Sequence, residues 1–355
     1  MHIQHPLTLL GGISPAEFMQ RYWQRKPLLV RQAIPECKPL VDRASLFAMA
    51  VDSGVESRLV VKPFKVQHGP FPRNKLPKLS QKDWTLLVQG VDLHNDKVAD
   101  LMHQFRFVPD ARLDDVMISY ATHQGGVGPH FDSYDVFLMQ AQGRRRWRYG
   151  PQKDLSLQPG MPLKILSKFQ PRWDVVLNPG DMLYLPPRYA HEGTAVGECM
   201  TYSVGFRVPQ RGGLAGEPAQ RLADEFEDHA LYRDPKQDAT SDPARMPAQL
   251  QDFAADALRR MIEQPRDLAR ALGEVMTEPK PKVWFEEPAQ DWVLGAVTLD
   301  RRTRMLFDDD HIFINGEAFR AGGKDARLMR QLANERQLPA TVVQKASPEA
   351  QCLLA

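Results

Sequence analysis

The stretch Gly125-Gly126-Val127-Gly128-Pro129-His130-Phe131-Asp132-Ser133-Tyr134-Asp135-Val136-Phe137-Leu138-Met139-Gln140 decides how this chain reads. Its glycines and proline have the composition of a turn, and Asp135–Gln140 has that of a β-strand. Between them stands His130-Phe131-Asp132. Side chains alternate along a strand, so residues two apart share a face, and His130 and Asp132 are expected to enter one pocket side by side. A later histidine, His191, follows the turn Asn178-Pro179-Gly180-Asp181 and the strand Met182–Leu185. Two imidazoles and one carboxylate hold one face of iron(II) and leave the other face open for a co-substrate and O₂. A bare His-x-Asp has little specificity. The other copy, His94-Asn95-Asp96, runs from a polar stretch into a helix and reads as a turn with Asp96 as the cap. On spacing alone the His130/Asp132 pair has a solvated loop as its alternative reading, and His191 alone reads as a packed or surface histidine.

Outward from this motif, residues 57 to 208 carry short β-type runs separated by Gly and Pro: Arg58–Lys62, Trp84–Gln89, Val116–Ala121, Asp135–Gln140, Arg144–Tyr149, Asp174–Leu177, Met182–Leu185 and Met200–Phe206. Many short strands with such turns imply a sandwich or barrel. A helix over Asp96–Phe105 interrupts them. Upstream, Ser14-Pro15 is a helix start, with Phe18, Met19, Tyr22 and Trp23 at helical spacing, and Leu28-Leu29-Val30 is a strand. Arg211-Gly212-Gly213 marks a boundary. Beyond it Leu222, Phe226 and Ala230, then Phe253, Ala257 and Met261, repeat at helical spacing, so 214–276 reads as helical. After Glu278-Pro279-Lys280-Pro281 come a hairpin, Met305–Phe307 with Ile312–Ile314, and a helix near Asp325–Asn334: a small α+β module.

The run Arg144-Arg145-Arg146-Trp147-Arg148 lies one strand beyond the metal motif. Alternation puts Arg145 and Trp147 on one face and Arg144, Arg146 and Arg148 on the other. Arg forms two parallel hydrogen bonds to a carboxylate, which is what a buried dicarboxylate co-substrate needs. The bland reading is a solvated basic strand edge.

These residues resemble a known family. Phe18…Tyr22-Trp23…Lys26-Pro27-Leu28, the His130-x-Asp132…His191 triad and Pro179-Gly180-Asp181…Leu185-Pro186-Pro187 resemble the JmjC branch of the cupin oxygenases. Gly126–Asp132, Tyr134-Asp135-Val136-Phe137, Arg144–Arg148 and Tyr202-Ser203-Val204-Gly205-Phe206-Arg207 resemble, more narrowly, the bacterial ribosomal oxygenases, over about residues 14–210. The resemblance implies a mainly β fold with α: a double-stranded β-helix (1–210), a helical dimerisation segment (211–276) and a winged-helix-like module (277–355). It implies iron(II) on His130, Asp132 and His191, with 2-oxoglutarate and O₂ as co-substrates. Arg145 would hold the distal 2-oxoglutarate carboxylate, where many JmjC demethylases present Lys, and Ser119 would contact the same molecule. Tyr134 and Ser203 would line the site of a protein substrate, an arginine of the large-subunit ribosomal protein L sixteen. If Ser119 faces the pocket, alternation along Asp115–Tyr120 brings Asp115 and Met117 with it, a carboxylate for a guanidinium and a flexible apolar wall. The alternative is that Asp115 starts a strand at the surface.

Other readings stay open from sequence. One is a related oxygenase acting by histidine hydroxylation or lysine demethylation. Another is a cupin with a different divalent metal, and a third a non-enzymatic cupin scaffold binding ribosome or RNA. No Walker-type Gly-Lys-Ser/Thr, Gly-x-Ser-x-Gly or His-Glu-x-x-His occurs, against nucleotide, serine-hydrolase and zincin chemistry. The 355 residues are 43% hydrophobic and 25% charged, a globular composition, and the net charge of +2 requires no direct nucleic-acid binding. Cys37, Cys199 and Cys352 form no Cys-x-x-Cys pair; with no signal peptide and no apolar span, a cytoplasmic protein without membrane contact is expected. The apolar helical spacing after residue 213 and the resemblance together imply a homodimer.

Overall fold

The computed structural model describes residues 2–285, 295–320 and 322–354. The chain divides into two compact units, Met1–Val208 and Pro209–Ala355. The first contains α1 (Pro15–Arg21), β1 (Leu28–Val30), α2 (Arg43–Met49), β2 (Ser57–Val61), β3 (Lys65–His68), β4 (Trp84–Val88), α3 (Asp96–His103), β5 (Leu113–Ala121), β6 (Val136–Gly150), β7 (Trp173–Leu177), β8 (Met182–Leu185) and β9 (Ala190–Phe206).

All nine strands join in the order β1-β8-β6-β9-β5-β4-β2-β3, with β7 also paired to β6. Two long strands make this a double-stranded β-helix. β6 and β9 run antiparallel from Val136↔Gly205 to Gly150↔Ala190, and register shifts around Gln142 bend the ladder. The first half of β6 pairs β8 and its second half pairs β7, so one bent ribbon serves both layers. From sequence, β6 reads as two strands, Asp135–Gln140 and Arg144–Tyr149, and β9 as Met200–Phe206 alone. The bulge replaces the expected turn: the intervening residues bend the strand without ending it.

Gly143 makes that bend possible. It has φ +62°, and a Cβ there would stand 2.1 Å from the Glu198 carbonyl oxygen of the facing strand. Gly143→Ala therefore forces either the left-handed conformation on a residue with a side chain or the two strands apart. We expect a loss of at least about 2 kcal/mol, read as a lower urea midpoint with an unchanged slope.

The core of this unit is aromatic. Phe18, from α1, is fully buried against Phe137 and Tyr184, with ring centroids 5.5 Å and 5.0 Å away. The N-terminal element is thereby welded to β6 and β8, and the Leu28–Val30 strand pairs β8 as an edge. Ser14 caps α1 by accepting from the Glu17 N–H at 3.1 Å, with Pro15 at the first helical position. α3 is capped by Asn95, whose side chain accepts from the Val98 N–H at 3.2 Å. The cap is thus Asn95 rather than Asp96, which lies inside the helix: Asn95 has the extended backbone a cap needs.

The second unit contains α4 (Arg211–Glu225), α5 (Ala248–Ile262), α6 (Pro265–Thr277), β10 (Val297–Thr298), β11 (Met305–Phe307), β12 (His311–Ile314), β13 (Glu317–Arg320), α7 (Gly323–Glu335), β14 (Gln337–Leu338), α8 (Ala340–Val343) and α9 (Pro348–Leu354). Arg211-Gly212-Gly213 forms the first turn of α4, so the break between units falls just before it. The periodicity through Phe226 and Ala230 overran the helix. Phe226 is extended, and residues 226–247 form no helix, in a stretch where Pro235, Pro243 and Pro247 each lack the donor a helix needs. The expected hairpin forms with Met305 opposite Ile314 and Phe307 opposite Ile312. A third strand, β13, follows the Asn315-Gly316 turn, both residues at positive φ. That dipeptide is a strong hairpin signal, and it was readable in the sequence. α7 packs Leu328, Met329 and Leu332 onto Met305 and Ile312, as in a winged helix. The expected module of 277–355 includes 286–294, 321 and 355, which lie outside the described residues.

Candidate metal and co-substrate site

A cavity of 460 Å³ opens within the first unit, and its wall follows strand alternation. Arg58 and Val60 come from β2, Thr85 and Leu87 from β4, Asp115, Met117 and Ser119 from β5, Arg145 and Trp147 from β6, and His191 and Ser203 from β9. Of the residues singled out in the sequence, His130, Asp132, His191, Ser119, Arg145, Asp115, Met117, Tyr134 and Ser203 all line it.

His130, Asp132 and His191 converge. Their potential ligand atoms lie within 4.8 Å of one another, the one such group of three among the described residues. The backbone brings them together: His130 and His191 form an isolated antiparallel bridge, His130 N–H to His191 O at 3.0 Å and the reverse at 2.8 Å. Their rings stand 4.3 Å apart. His130 and Asp132 do not share a regular strand, as alternation had suggested. β6 starts at Val136, and Asp132 sits in an irregular segment held by the Arg188 N–H donating to its carbonyl at 2.7 Å. The loop before them is backbone against backbone. A Cβ on Gly126 would stand 2.3 Å from the Gly193 carbonyl of β9, so only glycine fits.

The donor atoms are prepared. Each imidazole places Nδ1 2.9 Å from a backbone carbonyl, His130 at Gly128 and His191 at Tyr189. A carbonyl only accepts, so Nδ1 carries the proton and Nε2 keeps its lone pair for a metal. Both Nε2 atoms face Asp132, at 4.0 Å and 3.5 Å from its oxygens. His191 is almost fully buried, and burial with the neighbouring His130 pushes its pKa down to about 4, opposed by Asp132. Its ring is neutral at physiological pH, as a metal ligand must be. Two neutral nitrogens and one carboxylate fit iron(II).

Arg145 lies along the cavity from the triad. β6 exposes Arg144 and Arg146 and buries Arg145 and Trp147, the alternation expected. β6 is an inner strand, so the edge reading fails: Arg146 pairs with Asp174 and Arg148 with Glu192 on the outer face. Arg145 is 5% exposed and donates Nη1 to Ser119 Oγ at 3.2 Å, while its Nε and Nη2 are buried without a partner. A buried guanidinium with unused N–H groups is a receptor waiting for an acceptor such as a carboxylate. Thr85 Oγ1 and Trp147 Nε1, also unpartnered and buried, line the same cavity. The structure therefore fits both iron and a dicarboxylate.

Asp115 is buried, not a surface strand start: 4% exposed, it accepts at Oδ2 from Gln89 Nε2 at 2.6 Å and from the Gly90 N–H at 3.0 Å. Gln89, Arg58 and Thr85 were missed in the sequence. Alternation along β4 carried the signal, since Thr85, Leu87 and Gln89 share one face. His94 and Asp96, the other His-x-Asp pair, take no part in the metal group.

The family described as JmjC domain matches residues 100–214, and the ROXA-like winged helix matches residues 260–355. The chain is 35% identical over 85% of its length, and 84% of the relative's, to the ribosomal protein uL16 3-hydroxylase of Escherichia coli. The solved structure of Escherichia coli YcfD superposes with a TM-score of 0.85 at 30% identity, covering 96% of this chain and 94% of that one. YcfD solved with cobalt and 2-oxoglutarate, and described as a ribosomal oxygenase, superposes with a TM-score of 0.80 at 30% identity, covering 95% and 92%. The chain thus belongs to the JmjC-domain ribosomal oxygenases, and its chemistry is that of an iron(II)- and 2-oxoglutarate-dependent oxygenase.

Proposed function

We propose that this enzyme hydroxylates an arginine side chain of the large-subunit ribosomal protein uL16. The observation that carries the reading is the buried Asp115 carboxylate, on the same wall as Ser119 and in the same cavity as the metal triad. The kinship with a uL16 3-hydroxylase supports the target.

His130, Asp132 and His191 hold iron(II). Bound there with 2-oxoglutarate and O₂, the metal supplies the oxidising power for C–H hydroxylation, with succinate and CO₂ as by-products. Arg145 takes the distal 2-oxoglutarate carboxylate in its fork, and Ser119, which accepts from that guanidinium, contacts the same co-substrate. Asp115 accepts the substrate guanidinium, and Met117, Tyr134 and Ser203 line its methylene stem. Anchoring the far end of a long side chain fixes which carbon faces the metal, a positioning contribution.

The second unit suits a homodimer. α5 has no buried residue and exposes Leu250, Phe253, Leu258 and Ile262; the same face on a second copy would cover them. The helical segment 211–276 is then the dimerisation element and 277–355 the winged-helix module. A ribosomal-protein substrate suits a cytoplasmic enzyme; no described helix is long and apolar enough to cross a membrane.

The experiment is turnover of iron-loaded enzyme with 2-oxoglutarate and purified uL16, following succinate and peptide mass. A gain of one oxygen on one arginine supports the reading. Oxygen on a histidine, or succinate without protein modification, refutes the arginine target.

A further inference from the structure

We propose that Gln89 and Arg58 are specificity-determining positioning residues: they hold Asp115 as an ionised, oriented receptor that selects a cationic substrate side chain over a neutral one of the same shape. The inference rests on the reading of Asp115 as the guanidinium acceptor and adds the residues that make it selective.

The bonding is directional. Gln89 Nε2 donates to Asp115 Oδ2 at 2.6 Å, and Gln89 Oε1 accepts from Arg58 Nη2 at 3.3 Å. Only this orientation of the amide works. Flipped, its carbonyl would face a carboxylate and its NH₂ would face a guanidinium. Arg58 cannot be anything but a donor and Asp115, when ionised, anything but an acceptor, so the two charges fix the amide and the amide fixes the carboxylate. The Gly90 N–H adds a second donor to the same oxygen at 3.0 Å.

Burial supplies the reason for the relay. A carboxylate that is 4% exposed keeps its charge only where donors and a counter-charge compensate lost water. Gln89 passes the Arg58 charge inward by one amide. Gly205 completes the receptor. Its Cβ position lies 3.5 Å from Asp115 Oδ1, so the absent side chain leaves room beside that oxygen.

The test uses the full enzyme with two peptides that differ at one residue, arginine or citrulline, the latter a neutral isostere. Wild type should favour arginine strongly. Gln89→Leu should lower kcat/KM for the arginine peptide by about 10-fold or more, mainly through KM, because a hydrogen bond to a charged group is lost. The citrulline peptide should change by less than about twofold, so discrimination collapses. Arg58→Leu should act in the same direction, and Arg58→Lys, which keeps a donor and a charge, should restore most of it. The 2-oxoglutarate affinity and the circular dichroism spectrum, measured beside these, should hold, while the melting temperature of Gln89→Leu falls because the buried Asp115 loses a donor. An arginine preference in wild type that survives unchanged in Gln89→Leu overturns the inference while leaving the reading of Asp115 intact, as does an equal loss with both peptides. Wild-type indifference to arginine against citrulline overturns the reading of Asp115 and the inference with it.

Discussion

Asp132→Ala should give a folded protein whose iron(II) affinity falls by about 100-fold or more and whose turnover falls by on the order of 10³-fold. The carboxylate is the single anion in the donor set. Without it two neutral imidazoles face a dication and the site loses both its charge match and one side of its geometry. The fold should survive because the loop is held through its backbone: the Arg188 N–H donates to the Asp132 carbonyl, and the His130–His191 bridge needs no side chain. The side chain itself is partly exposed, so no core is lost. Isothermal titration of metal-free protein with iron(II) under anaerobic conditions, together with its circular dichroism spectrum, separates the two effects. An Asp132→Ala protein that binds iron as tightly as wild type would remove the carboxylate from the metal shell, and the His-x-Asp reading would fail with it. His130→Ala should lose metal similarly, and the double variant should add little, since ligands of one ion act as a unit.

How much of this was legible from the sequence varies with the range of the interactions involved. Alternation is local, and it was right wherever the strand was regular: Arg145 and Trp147 point inward, and Asp115, Met117 and Ser119 share the cavity. It misassigned His130 and Asp132, which converge through an isolated bridge and an irregular loop rather than along one strand. The residues came together all the same, because the pairing partner, His191, lies far off in sequence and supplies what the local strand does not. Boundaries failed in two places: β6 continued through the bulge at Gly143, and α4 stopped at Glu225 although the apolar spacing ran on to Ala230. Periodicity reports which face a helix would bury, and it contains no information on where the helix ends. The relay from Arg58 to Asp115 was beyond reach for another reason. It spans β2, the end of β4 and β5, and only the register of Arg58↔Leu87 and Leu87↔Ser119 brings those side chains to one wall.

Arg145→Met should have opposite effects on the empty and the occupied enzyme. In the ligand-free protein Arg145 is buried with Nε and Nη2 unpartnered, compensated by one bond to Ser119 and by the Trp147 ring, 5.7 Å from its guanidinium carbon. Replacing an incompletely paired buried charge by an apolar chain of similar length should stabilise the ligand-free fold by about 1–3 kcal/mol. The same change deletes the fork for the distal carboxylate, and 2-oxoglutarate affinity should fall by about 100-fold or more, the consequence of leaving a buried carboxylate without its cation. Urea denaturation of metal-free protein reads the first effect. Calorimetric titration with 2-oxoglutarate, manganese standing in for iron, reads the second. Ligand-induced stabilisation at saturating 2-oxoglutarate in wild type should shrink in the variant by the same free energy, because binding to the folded state alone is what raises stability. A variant less stable than wild type when empty would mean that the guanidinium is satisfied within the protein. The unpartnered N–H groups would then be no receptor. If both effects appear with these signs, stability has been given up at Arg145 in favour of binding, and Arg145→Lys becomes informative: a point charge on a shorter reach should recover part of the affinity but not the two-bond geometry that Ser119 holds in place.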